Sequence, residues 1–160
     1  MKKIRGFTLI ELIVTMSVAA VLMTVAVPGF FNLVQNNQVT AQTNSLISSL
    51  NLARSEAVKR GVPVLVTAAE GGFSRGWCVH LPGECNEDNA IRVSYGFDRL
   101  EAHAGFAVLG FDERGARVLP SEALAATIML HPAACAADTQ RAREITVAVT
   151  GQIRVERKGC

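Results

Sequence analysis

Residues 6–31 read GFTLIELIVTMSVAAVLMTVAVPGFF, and this stretch decides the fold. From Phe7 to Phe31 it carries one charged side chain, Glu11. As a helix at 1.5 Å per residue it spans roughly 37 Å, enough to cross a bilayer. Residues 1–6, MKKIRG, place Lys2, Lys3 and Arg5 just before it. Such a basic flank stays cytoplasmic, so the rest of the chain is expected on the far side of the membrane. A secretory signal peptide would be cut near the small residues Ala19, Ala20 or Ala26, and a plain signal anchor would stay. Neither explains Glu11, whose insertion as a carboxylate costs about 3 kcal/mol.

The segment Gly6-Phe7-Thr8-Leu9-Ile10-Glu11 resembles the processing site of type IV prepilins and type II secretion pseudopilins. The elements are a short basic leader, Gly, Phe, and Glu four residues after that Phe, opening an apolar helix. Pro28 falls where these families place a helix-kinking proline. The resemblance implies cleavage between Gly6 and Phe7 by a prepilin peptidase and N-methylation of Phe7. It implies a filament with the apolar helices bundled at its centre, and Glu11 setting register against a neighbour's N-terminal amine. A buried amine and carboxylate are each costly alone and tolerable as a pair.

Beyond Pro28-Gly29, which interrupt the helical pattern, Val39, Leu46, Leu50, Ala53 and Ala57 recur at helical spacing. Asn36, Asn37, Gln38, Gln42, Asn44 and Asn51 are expected on the opposite, polar side. The helix is expected to stop at Arg60, with Gly61 as its cap and Pro63 beyond. The period then changes. Short strand candidates cover 62–69, 77–81, 91–95, 106–111, 116–119, 127–131, 144–150 and 152–156, separated by Gly and Pro turns. The organisation is thus a leader at 1–6, a transmembrane helix at 7–31, an amphipathic helix at 32–60 and a β-rich head at 61–160. The class is α+β: a long N-terminal helix packed on an antiparallel sheet or sandwich.

Composition agrees with one domain and little else. The 160 residues are 49% apolar, with 16 basic and 14 acidic side chains, which excludes a disordered or nucleic-acid-coating protein. Removing the leader's three cations leaves 13 against 14. The four cysteines, Cys78, Cys85, Cys135 and Cys160, lie outside the apolar segment, in what the topology makes an oxidising compartment. Three pairings are open. Cys78–Cys85, closing a short loop through Pro82-Gly83, and Cys135–Cys160, pinning the last hairpin, are favoured. No CxxC spacing suggests a metal.

The stretch Leu52-Ala53-Arg54-Ser55-Glu56-Ala57-Val58 is similar to the helix element of the GspH/FimT group of minor pilins and pseudopilins. Gly76-Trp77, the turn Phe111-Asp112-Glu113-Arg114-Gly115 and a final hairpin into a terminal Cys follow in that group's order. The resemblance implies a structural subunit, not an enzyme. Its expected seat is the bacterial inner membrane, single-pass with the head in the periplasm, and then the filament, at its tip. Implied partners are other minor and major pilins or pseudopilins, the inner-membrane assembly platform, the prepilin peptidase and the lipid bilayer. A type IV pilus is favoured by the cysteines, with the H subunit of a type II secretion pseudopilus as the alternative.

Some members of the group bind DNA through Gly-Arg-x-Arg at the last hairpin. Here Gly151-Gln152-Ile153-Arg154 keeps the Gly and the second Arg, and Gln152 replaces the first. Gly151, Arg154, Arg157 and Lys158 are therefore the candidate DNA contacts, against the plainer reading of a charged edge that blunts strand pairing.

No catalytic, cofactor or metal residues are assigned. Gly72-Phe73-Ser74-Arg75-Gly76 matches G-x-S-x-G but lacks the strand-before, helix-after setting of a nucleophile elbow. His80, His103 and His131 are scattered in sequence and read as surface or packed side chains. Glu84, Glu87 and Asp88 form an acidic loop without calcium-loop spacing.

Overall fold

The computed structural model describes residues 7–96, 99–121, 124–136 and 139–160. Gly6 and the basic cluster Lys2, Lys3 and Arg5 lie outside the described residues. The chain divides into two compact units, one reaching Gln35 and one covering Asn36–Cys160.

Helix α1 runs Leu9–Arg60. Thr8 caps it: the Glu11 N–H donates to Thr8 Oγ1 at 3.3 Å and the Leu12 N–H to the Thr8 carbonyl at 3.2 Å. The helix assignment continues through Pro28-Gly29, in keeping with one long helix whose apolar pattern breaks there and resumes. Proline removes one backbone donor there without ending the helix. At the far end Gly61 adopts φ +64°, and its N–H donates to the Ala57 carbonyl at 3.0 Å. That left-handed residue stops the helix.

In the second unit, Val39, Leu46, Leu50, Ala53 and Ala57 are fully buried. Gln42 is buried with them, at 1% exposure, and not on the polar side. The reason is spacing: Gln42 stands three residues after Val39 and four before Leu46, on the same helical face. Asn37, Asn44 and Asn51 are exposed.

Nine strands follow: β1 Val64–Ala68, β2 Gly76–His80, β3 Ala90–Tyr95, β4 Leu100–Ala104, β5 Val108–Phe111, β6 Arg117–Leu119, β7 Ala125–Pro132, β8 Ala142–Ala148 and β9 Ile153–Lys158. They form two antiparallel sheets, ordered β3-β2-β1-β5-β6 and β4-β7-β8-β9. Leu46, Leu50, Ala53 and Ala57 share one core with Val64 and Val66, Trp77 and Val79, Leu109 and Phe111, Ile128 and Leu130, and Ile145 and Val147. Both sheets therefore meet the helix.

The strand missing from the sequence reading is β4. Its alternation is complete, with Leu100, Ala102 and Ala104 against Glu101 and His103. Two of the three inward residues are alanine, which gives little strand preference. The G-x-S-x-G stretch is the loop joining β1 to β2, with Phe73 buried beneath it, so no helix follows Ser74. Disulfides join Cys78 to Cys85 and Cys135 to Cys160, with Cα atoms 6.3 and 5.7 Å apart.

Candidate functional site

Two surfaces carry the residues singled out by sequence. The first is the apolar start of α1. From Phe7 to Leu33 every side chain whose burial is described is exposed, including Phe7 at 75% and Leu9 at 76%. Exposure on this scale leaves a long apolar face that needs an outside cover. The hydroxyls within it are satisfied internally: Thr15 donates to the Leu12 carbonyl, Ser17 to Ile13 and Thr24 to Val21, at 2.7–2.9 Å. Such pairing is what a nonaqueous surrounding demands.

Glu11 is the exception. No Lys, Arg or His occurs between Phe7 and Ala53. The helix itself supplies no cation for its carboxylate before Arg54. The residue also has a local role that sequence alone could have shown. Thr8-Leu9-Ile10-Glu11 has capping-box spacing, and an acid in the first turn suits the helix dipole.

The second surface is the hairpin β8–β9. Gly151 turns it at φ +77°, its N–H donating to the Ala148 carbonyl at 2.9 Å. A Cβ on Gly151 would stand 1.9 Å from the Gly115 carbonyl oxygen, so only glycine fits. Arg54 lies against both turns: its Nε would be 3.0 Å from a Cβ on Gly115 and 3.1 Å from one on Gly151. Its guanidinium donates to the Thr150 carbonyl at 3.4 Å. The Arg117 N–H donates to the Val149 carbonyl at 2.9 Å. The helix element 52–58, the turn 111–115 and the final hairpin thus meet at Arg54.

Arg154, Arg157 and Lys158 do not form one patch. Side chains alternate along β9, and the register pairs Thr146 with Arg154, Glu144 with Glu156, Ala142 with Lys158 and Arg143 with Arg157. Arg154 and Lys158 share a face with Glu156 between them. Arg157 sits on the other face, beside a shallow groove that includes Thr40, Asn44 and Arg143. Lys158 is also spoken for, with Nζ 3.3 Å from Glu144 and 3.2 Å from Glu156. Those bonds, led by the one to Glu156, hold its ammonium above the usual lysine range. Arg143 is held below the usual range, first by burial and then by the Arg157 charge.

The structure gathers one further cluster. Glu101 and His103 on β4 and His131 on β7 lie on one face of the four-stranded sheet. Glu101 Oε2 is 3.7 Å from His103 Nε2 and 4.0 Å from His131 Nε2, and the two rings stack with centroids 5.1 Å apart. Sequence reading treated these histidines as scattered. The signal was Glu101-x-His103, two residues apart and therefore on one face, but only once 100–104 is read as a strand.

Residues 42–151 match the family model described as type II transport protein GspH, and residues 1–27 match the prokaryotic N-terminal methylation motif. No curated protein gives a significant sequence match. The type IV minor pilin FimU of Pseudomonas aeruginosa is similar in structure, with TM-score 0.65 and 21% identity, over 78% of this chain and 93% of that one. A second crystal form of FimU gives 0.63 at 21% identity, over 76% and 96%. The minor pseudopilin EpsH from the type 2 secretion system of Vibrio cholerae gives 0.53 at 13% identity, over 75% and 97%. At these identities the likeness is one of fold.

Proposed function

The chain belongs to the GspH family, and on that premise we propose that it is a type IV pilus subunit that primes assembly at the filament tip. The coarser statement needs no proposal: it is a structural subunit of the minor pilin or pseudopilin kind, carrying an N-terminal methylation motif, and not an enzyme. The observation behind assembly into a filament is the exposed apolar segment from Phe7 to Leu33, headed by that motif and holding a single charged side chain, Glu11.

The steps follow from the chemistry. The basic leader keeps residues 1–6 cytoplasmic and the head periplasmic. Prepilin peptidase cuts between Gly6 and Phe7, and Phe7 is N-methylated. The apolar segment stays in the bilayer until the assembly platform draws the subunit into the filament. The segment then exchanges lipid for the helices of neighbouring subunits, and Glu11 meets the cationic amine of the next Phe7. That pairing satisfies two charges at one axial offset, which sets register.

Two disulfides in a head facing an oxidising compartment support a pilus, where the head must last outside the cell. A secretion pseudopilus is the alternative machine. DNA is the partner with least support: the three candidate cations divide between two faces, and Lys158 is paired with two carboxylates.

Mass analysis of the protein coexpressed with a prepilin peptidase should find a chain starting at Phe7 with one added methyl group. Glu11→Ala should still be cleaved yet fail to enter filaments; normal incorporation would sink the register role. Deleting the gene should abolish twitching and leave secretion intact. The reverse pattern assigns the chain to a secretion system.

A further inference from the structure

We propose that Glu101, His103 and His131 form a binding site for a divalent transition metal of the zinc class, on the outer face of the four-stranded sheet. Three observations carry it. The ligand atoms of the three side chains all lie within 4.8 Å of one another. A zinc ion with bonds of about 2.0–2.2 Å holds neighbouring ligands about 3.3 Å apart. The 3.7 and 4.0 Å separations from Glu101 Oε2 therefore close on a metal by small rotations of the side chains, of which Glu101 and His103 are exposed and His131 is half-buried.

The second observation concerns the proton on His131. Its Nδ1 lies 2.9 Å from the Pro132 carbonyl oxygen. A carbonyl only accepts, so Nδ1 carries a hydrogen, and in the neutral ring Nε2 presents its lone pair. That Nε2 is the atom facing Glu101. A ligand imidazole whose other nitrogen donates to a backbone carbonyl is the arrangement found around protein metals.

The third is rigidity and chemistry. Glu101 and His131 are direct partners across β4 and β7, and His103 follows two residues along β4. The backbone of a paired ladder thus fixes all three attachment points. Two imidazoles and one carboxylate suit zinc, nickel or copper and do not suit calcium or magnesium, which take oxygen ligands. Three protein ligands leave a fourth position for water or for a donor from a neighbouring molecule.

The test uses the full chain in detergent, free of any polyhistidine tag and stripped with chelator. Titration with zinc chloride followed by calorimetry should give one ion per chain, with a dissociation constant on the order of 10 µM or tighter. His131→Gln and His103→Gln should each weaken binding at least about tenfold, and Glu101→Gln should do so to a similar or smaller degree. Glu84→Gln, in the exposed acidic loop, should leave it unchanged. Cobalt(II) should give visible d–d bands that the His103→Gln/His131→Gln pair loses. Unchanged Trp77 fluorescence shows that the variants keep their fold. Absence of stoichiometric binding overturns the proposal, as does binding that survives the double variant. Either result leaves a surface ion pair at this place.

Discussion

Helix α1 satisfies its apolar side chains in two different ways. In its second half Val39, Leu46, Leu50, Ala53 and Ala57 are wholly buried, the last four in one core with the strands. In its first half Leu9, Ile10, Leu12 and Ile13 are each more than half exposed. The same hydrophobic effect acts on both. One half finds its apolar partner within the chain; the other must find it in lipid or in other subunits. A helix that is apolar on every side cannot be covered by one small head. A helix with an apolar stripe can.

The sharpest way to break that comparison is to shorten one leucine in each half. Leu50→Ala removes methylenes from a closed core and should cost about 2–5 kcal/mol of head stability. Leu12→Ala, in the exposed half, should change it by less than about 0.5 kcal/mol. The readout is denaturant unfolding of the detergent-solubilised chain followed by Trp77, the sole tryptophan, which is 1% exposed in the head core. Equal losses would mean that the two halves share one cooperative unit.

The cysteines sharpen the head side. Cys135–Cys160 spans 25 residues and Cys78–Cys85 spans 7. A longer closed loop removes more entropy from the unfolded chain. Replacing the first pair by alanines should therefore cost about 3 kcal/mol and the second about 2 kcal/mol, by the same unfolding measurement. Cys160 also holds the chain end beside Thr139, its N–H donating to that carbonyl at 3.2 Å. A smaller loss for the longer loop would show that β9 holds its edge without the covalent tie.

Much of this division was legible in sequence because it rests on periodicity. Leu46, Leu50, Ala53 and Ala57 announce one buried face, and the stretch after Phe7 announces none. Gly61 and the turn glycines mark element ends by their φ values. What failed had a physical cause in each case. Gln42 was placed by its polarity, whereas helical spacing puts it with the core. β4 was missed because alanines carry its inward face. The basic cluster at 154–158 looked continuous in sequence, but a strand sends neighbouring side chains to opposite faces. The Glu101–His103–His131 cluster needs the pairing of β4 with β7, which no local pattern states.

The smallest expected effect compares the two glutamates at the ends of α1. Glu11 has no basic side chain within the next 42 positions, Arg54 being the first after it. Glu56 has Arg60 Nε at 2.6 Å and Lys59 Nζ at 3.6 Å. The Arg60 hydrogen bond, aided by the charges of Lys59 and Arg60 and opposed by desolvation, holds the Glu56 carboxyl below its ordinary value. A depressed folded value means that the unfolded chain takes up the proton first as pH falls. The contribution is therefore complete above the ordinary carboxylate range and is lost as pH drops through the folded value. Glu56→Gln should lower stability slightly at neutral pH and flatten the acid limb below about pH 4.5. The difference from wild type should shrink in high salt, because the Lys59 and Arg60 side chains are open to water while Glu56 is half-buried. An acid limb of unchanged slope would show that the pair contributes nothing to the head.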